Sequence, residues 1–152
     1  MKTVTLNIFK FDELSETAKN KAVESFRESM EYNDECVFEN LTDLLVAIGF
    51  DEDVEIEYSL DYSHIPFANV VSGGFNKKDL TKARKNYGGE KVVELFDLIE
   101  NSEIERTDLL EAINKFVFSM IESDFEYYYS TESIIEEIEA LEMDFFENGT
   151  SF

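Results

Sequence analysis

Between Thr107 and Phe125 apolar residues return every three or four positions: Leu109, Leu110, Ile113, Phe116, Val117, Met120, Ile121 and Phe125, with Glu111, Glu122 and Glu126 set outward between them. That period is the signature of an α-helix with one apolar stripe, and a strand would throw half of these side chains into water. Thr107 or Asp108 can cap its start. So long an amphipathic helix cannot stand alone, and other elements must cover its stripe.

The rest of the chain supplies them. Ser15 is placed to cap a helix whose Ala18, Ala22, Phe26 and Met30 lie on one face, ending around Tyr32. Asn33 or Asp34 can cap a second, with Val37, Phe38, Leu41, Leu44, Leu45 and Ile48 inward and Gly49 as its left-handed exit. Shorter helices are expected from about Lys78 to Tyr87, near Lys91 to Ile99, and from Ser130 or Thr131 through Ile134, Ile135, Ile138 and Leu141.

Strand patterns are fewer. Val4, Leu6 and Ile8 alternate with Thr3, Thr5 and Asn7, an opening strand that ends near Phe11. Val54, Ile56, Tyr58 and Leu60 alternate with Glu55, Glu57, Ser59 and Asp61, one face apolar and the other acidic. A third strand, Phe67 to Ser72, follows Ile65-Pro66 and is broken by Gly73-Gly74. The tail from Asp144 to Phe152 fits either a frayed helix end or a hairpin-like strand about Asn148-Gly149. The expected fold class is α+β, a small, largely antiparallel sheet of about three strands packed with five or six helices. With 152 residues, no repeat and no linker, one domain over 1–152 with one core is expected.

Charge then narrows the function classes. Asp and Glu number 35 against 13 Lys and Arg, a net charge of −22, far beyond the roughly 2 to 8 that keeps a small domain soluble. An apolar fraction of 43% is enough for a core, so this charge does not imply disorder. Neither Lys nor Arg occurs from Glu28 through Asn76 or from Phe116 through Phe152. Free nucleic acid and anionic membrane are excluded as partners by repulsion, and a basic protein surface is favoured. The cations gather at Lys77, Lys78, Lys82, Arg84, Lys85 and Lys91, where they are expected to answer carboxylates within the fold more than to form an anion site. One cysteine, Cys36, and no run of about 18 apolar residues point to a reducing cytoplasm, with no membrane span.

Signs of catalysis, cofactor or metal binding do not emerge. His64, the one histidine, stands before Ile65-Pro66, where a turn or core role is expected. Cys36 on an amphipathic helix reads as a small core residue. Asp51, Glu52 and Asp53 lack the glycine and distal glutamate of a calcium loop. Gly73-Gly74 and Gly88-Gly89 match no phosphate-binding pattern and read as turns.

What stands out is the acidic carboxy-terminal third, where Glu122, Asp124, Glu126, Glu132, Glu136, Glu137 and Glu139 lead on to Glu142, Asp144 and Glu147 with no lysine nearby in sequence. Glu132 and Glu136 fall one helical turn apart, about 6 Å along the axis, a like-charge pair that costs roughly 0.2 to 0.5 kcal/mol. Such a row carries negative charge on the scale of nucleic-acid phosphates, which a Lys/Arg groove accepts. Tyr127, Tyr128 and Tyr129 in the same region are candidate interface anchors, with one or two of them expected to face the core.

The run Phe11-Asp12-Glu13-Leu14-Ser15-Glu16-Thr17-Ala18-Lys19-Asn20-Lys21-Ala22 after a short strand resembles the opening of a family of small acidic phage and prophage proteins. Glu126-Tyr127-Tyr128-Tyr129-Ser130-Thr131-Glu132-Ser133 and Phe146-Glu147-Asn148-Gly149 are similar to that family's closing pattern. Around Tyr58 to Phe75 the chain departs from it, without the family's Gly- and Trp-rich strand turn. The resemblance implies phage origin and a host bacterial cytoplasm, and it carries over no functional residue. Its members are sometimes labelled antitoxin-like. Charge and resemblance together predict an anti-CRISPR-like inhibitor that binds the basic surface of a host nucleic-acid-targeting effector, with an antitoxin-like protein that neutralises a basic toxin as the alternative.

Overall fold

The computed structural model describes residues 7–71 and 74–152. Most of the expected opening strand, Thr3 to Leu6, lies outside the described residues, as do Ser72 and Gly73 at the end of the expected third strand. The described residues form six α-helices and two antiparallel two-stranded ribbons, an α+β fold. The strands therefore make two ribbons where the sequence predicts one sheet of about three.

By contact the chain divides into two compact units, Met1–Tyr32 with Phe125–Phe152, and Asn33–Asp124. One core is expected from composition, but the buried apolar residues gather in two clusters, one in each unit.

In the first unit, β1 (Phe9–Lys10) leads through a single 3-10 turn at Phe11–Glu13 into α1 (Glu16–Ser29). Ser15 caps α1 by accepting the Ala18 N–H at 3.3 Å. Ala18, Ala22 and Val23 are buried, and the two alanines let α1 pack closely on Ile134 and Ile138 of α6 (Thr131–Ala140). Ser130 is the cap of α6, its Oγ accepting the Ser133 N–H at 3.1 Å. The tail is the hairpin-like alternative: β4 (Asp144–Phe145) pairs antiparallel with β1, Phe9 opposite Phe145, and Phe145 bridges to Ser151. Gly149 makes that return possible, since its φ is 81° and a Cβ there would lie 2.1 Å from the Ala18 carbonyl oxygen.

The second unit is built around α2 (Glu35–Ile48), α4 (Glu90–Glu100) and α5 (Arg106–Tyr128), whose last residues belong to the first unit. Leu45, Ile48, Leu80, Phe96, Ile99, Leu109, Ile113, Val117 and Ile121 are its most buried side chains, each worth about 1.5–3 kcal/mol of transfer free energy. Gly49 ends α2 at φ 128°, its N–H donating to the carbonyls of Leu45 and Val46.

β2 (Glu55–Ser59) pairs with β3 (Phe67–Val71), Ile56 opposite Val70 and Tyr58 opposite Ala68, which turns these four toward the core and Glu55 and Glu57 away from it. The expected basic helix shrinks to α3 (Ala83–Asn86). The Asp79 carboxylate explains this by accepting both the Thr81 N–H at 2.9 Å and its hydroxyl at 2.7 Å, which holds the preceding residues in a turn.

Candidate interaction surface

Helix α6 orders the acidic carboxy-terminal residues. With Ile134 and Ile138 buried, the 100° step per residue turns Glu132, Glu136 and Glu139 to the opposite side within about 60° of one another. All three are exposed, as are Glu126 and Glu137. Among the described residues none of the five makes an ion pair within 4.0 Å.

Tyr127 joins this row. Its side chain is 53% exposed and its hydroxyl donates to Glu136 Oε2 at 3.1 Å. That hydrogen bond, then the charges of Glu136 and Glu132, raise the phenol above its ordinary range. Tyr128 and Tyr129 are half-buried and engaged elsewhere. Edge-to-face contacts link Tyr32 to Phe125 and Tyr128, and Tyr129 to both. The Tyr128 hydroxyl donates to the Glu31 carbonyl at 2.7 Å. Arg27 donates to the Tyr129 carbonyl at 3.1 Å and to Thr131 Oγ1 at 3.0 Å, and it also pairs with Glu24.

Some of the other carboxylates predicted for one face are engaged within the fold. Glu122 and Asp124 belong to the second unit, where Glu122 accepts the Tyr62 hydroxyl at 2.7 Å. Asp144 is answered after all: Lys10, distant in sequence, pairs with it at 2.7 Å and donates to the Glu142 carbonyl at 2.6 Å. The hydrogen bond to Asp144 leads the causes that raise the Lys10 ammonium. Glu142 sits at φ 49°, in the left-handed slot after α6 that usually favours glycine.

The basic segment serves its own unit, mostly through carbonyls. Lys78 donates to the Val46 carbonyl at 2.8 Å, at the negative end of α2, and Lys77 to the Asn101 carbonyl at 3.3 Å. Lys91 reaches Ser123 Oγ at 3.1 Å. Arg84 does meet carboxylates, Asp97 at 2.6 Å and Glu100 at 2.9 Å, and lies over the Phe96 ring. Lys82 and Lys85 are exposed and make no ion pair among the described residues.

His64 takes the turn role. Its Nδ1 lies 3.0 Å from Ser63 Oγ and 3.2 Å from Asp61 Oδ2. A Ser-His-Asp relay needs the serine and the aspartate on opposite ring nitrogens, and here both meet the same one. Cys36 corrects the expectation of a core thiol, since it is exposed. It follows Glu35 in the first turn of α2, and nine residues of helix put it about 180° from buried Leu45. Among the described residues no group of three or more His, Cys, Asp or Glu side chains could hold a metal ion, and no helix is long and apolar enough to cross a membrane.

Sequence reasoning missed the Lys10–Asp144 pair and the Tyr62–Glu122 bond, because neither leaves a local pattern. Compared with known proteins, the chain matches no family model, no curated protein and no solved structure.

Proposed function

We propose that this protein acts by binding, as a phage-encoded inhibitor whose carboxylates occupy the basic nucleic-acid groove of a host defence effector such as a CRISPR complex. One observation carries the reading: Glu132, Glu136 and Glu139 form an exposed row on α6 with no ion pair among the described residues, although like charges one turn apart weaken the helix. The row extends about 10 Å along the axis, a length on which a groove for phosphates presents several cations. Tyr127 adds a flat, half-exposed ring beside it at low entropy cost. Phage origin rests on the resemblance of the two chain ends.

The antitoxin-like alternative draws on Tyr127 to Tyr129 as an aromatic rim. Only Tyr127 of the three is mostly exposed, so the charge-based reading keeps more of its residues at the surface.

The test is inhibition of target-DNA binding by guide-loaded CRISPR effectors, measured across a salt series. Inhibition is expected to weaken steeply with salt, to compete with nucleic acid, and to fall at least about tenfold for E132K/E136K/E139K. Inhibition that survives that triple variant and about 0.5 M salt unchanged overturns the proposal.

A further inference from the structure

The β2–β3 ribbon has one side in the second core and one side in water. Phe67 and Val71, on the outer side of β3, are 47% and 41% exposed, and Ile65 just ahead of them is 88% exposed. Glu55 and Glu57 lie on the same outer side of β2, opposite Val71 and Asn69. The ribbon thus presents Phe67 and Val71, with Asn69 between them, beside Ser59, Glu57 and Glu55, two apolar side chains next to two carboxylates about 4.8 Å away by strand spacing. The turn that carries Ile65 is itself tied down. Asp61 accepts the Ser63 N–H at 2.9 Å and its hydroxyl at 2.6 Å, and the His64 N–H donates to the Asp61 carbonyl at 3.1 Å.

We infer that this outer ribbon face is a second docking surface, and that its occupant is a basic amphipathic helix of another protein. Apolar side chains of that helix cover Ile65, Phe67 and Val71, and its Lys or Arg residues stand over Glu55 and Glu57. From Phe67 to Val71 is about 13 Å along the strand, close to two helical turns, and a helix about 10 Å across covers both strands at once.

Charge complementarity selects this occupant over the others. No Lys or Arg occurs from Glu28 through Asn76, and Lys115 of α5, which lines a cleft with Phe67, is already paired with Glu111 at 2.7 Å, so Glu55 and Glu57 meet no cation among the described residues. A second copy of the chain would bring another net-negative face, its nearby Lys115 already paired with Glu111, and so would supply no cation to answer Glu55 and Glu57. An uncharged apolar partner would strip water from those carboxylates without replacing it. The residues differ from those of α6 and lie in the other unit, so this surface stands or falls independently of the inhibitor reading.

The experiment uses the full chain, isotope-labelled for amide NMR, and two leucine–lysine peptides of identical composition. One is patterned as an amphipathic helix and the other is scrambled. The patterned peptide is expected to shift amides over 55–71 and to bind about tenfold more tightly than the scrambled one. Phe67→Ser should weaken it about tenfold, as should E55K/E57K, while E28Q/E103Q, at exposed carboxylates outside both surfaces, changes it less than about twofold. Ile65→Ser, in the turn, repeats the measurement without altering the strands. Equal affinity for the two peptides, shifts centred on α6, or binding indifferent to Ile65→Ser and Phe67→Ser overturns the inference. So does a dimer in sedimentation that Phe67→Ser makes monomeric, since the occupant would then be a second copy.

Discussion

Tyr58 shows how a single hydroxyl in the second unit is accommodated. It donates to Asp34 Oδ2 at 2.6 Å, and burial first, then the bond and charge of Asp34, push the phenol up to about 12. An unfolded tyrosine ionises near 10. The contact therefore contributes in full below about pH 10 and is lost as pH rises from there through about 12, because the unfolded chain releases its proton first. Tyr58→Phe should cost about 1 kcal/mol in urea unfolding near neutrality and show a smaller loss of stability than the parent above pH 10. Gly149 is the complementary case, where what matters is an absent side chain. Gly149→Ala places a methyl group against the Ala18 carbonyl at an unfavourable φ and is expected to lower stability by about 2 kcal/mol or more, read from the denaturant midpoint. Of these two residues the sequence indicated only the second, through Asn148-Gly149, because a glycine turn is a local signal and a tyrosine's partner is not.

At the scale of elements, caps and helix ends were the most legible features. Ser15 and Gly49 stand where the residue pattern puts them, since capping depends on atoms within one turn. Where the sequence allowed two caps, the structure separates them: Ser130 Oγ accepts a helix N–H, while Thr131 Oγ1 accepts from Arg27. Ser130→Ala should cost about 1 kcal/mol and Thr131→Ala measurably less, in paired urea titrations. At the start of α2 the two candidates separate in the same way, Asn33 Oδ1 accepting the Glu35 N–H at 3.0 Å while the Asp34 carboxylate accepts from Tyr58. The acidic row of α6 also has an elemental consequence. Glu132 lies in the first turn of α6, where the helix dipole favours its charge while Glu136 one turn on opposes it. The two effects of E132Q/E136Q therefore offset, and stability should change by less than about 0.5 kcal/mol, too little for unfolding to explain a loss of partner binding. Thermal unfolding of the variant beside the parent checks this.

For the whole molecule, net charge has the widest reach. A chain of −22 repels itself, and added salt should raise its melting temperature. About 1 kcal/mol of relieved repulsion corresponds to about 3 °C for a chain of this length. A melting temperature that does not move between low salt and about 0.5 M sodium chloride would mean that the carboxylates are compensated within the fold. The two buried clusters are the other molecular-scale feature, and composition did not reveal them, because it counts apolar residues without saying which of them meet. The amino-acid order by itself determined the α+β class, the helices with the caps Ser15, Asn33 and Ser130 and the exit Gly49, the acidic side of β2 and the exposed glutamates of α6, all of which follow from neighbours within a turn or a strand repeat. By contrast, α5 begins at Arg106 and takes in the expected caps Thr107 and Asp108. Only tertiary structure decided that Phe9 lies opposite Phe145, that Lys10 answers Asp144, that Tyr128 and Tyr129 belong to an aromatic cluster, and that Cys36 faces water. Such pairings depend on which faces come together across more than a hundred residues of chain, or on which side of a helix the core lies, and no local pattern carries that information.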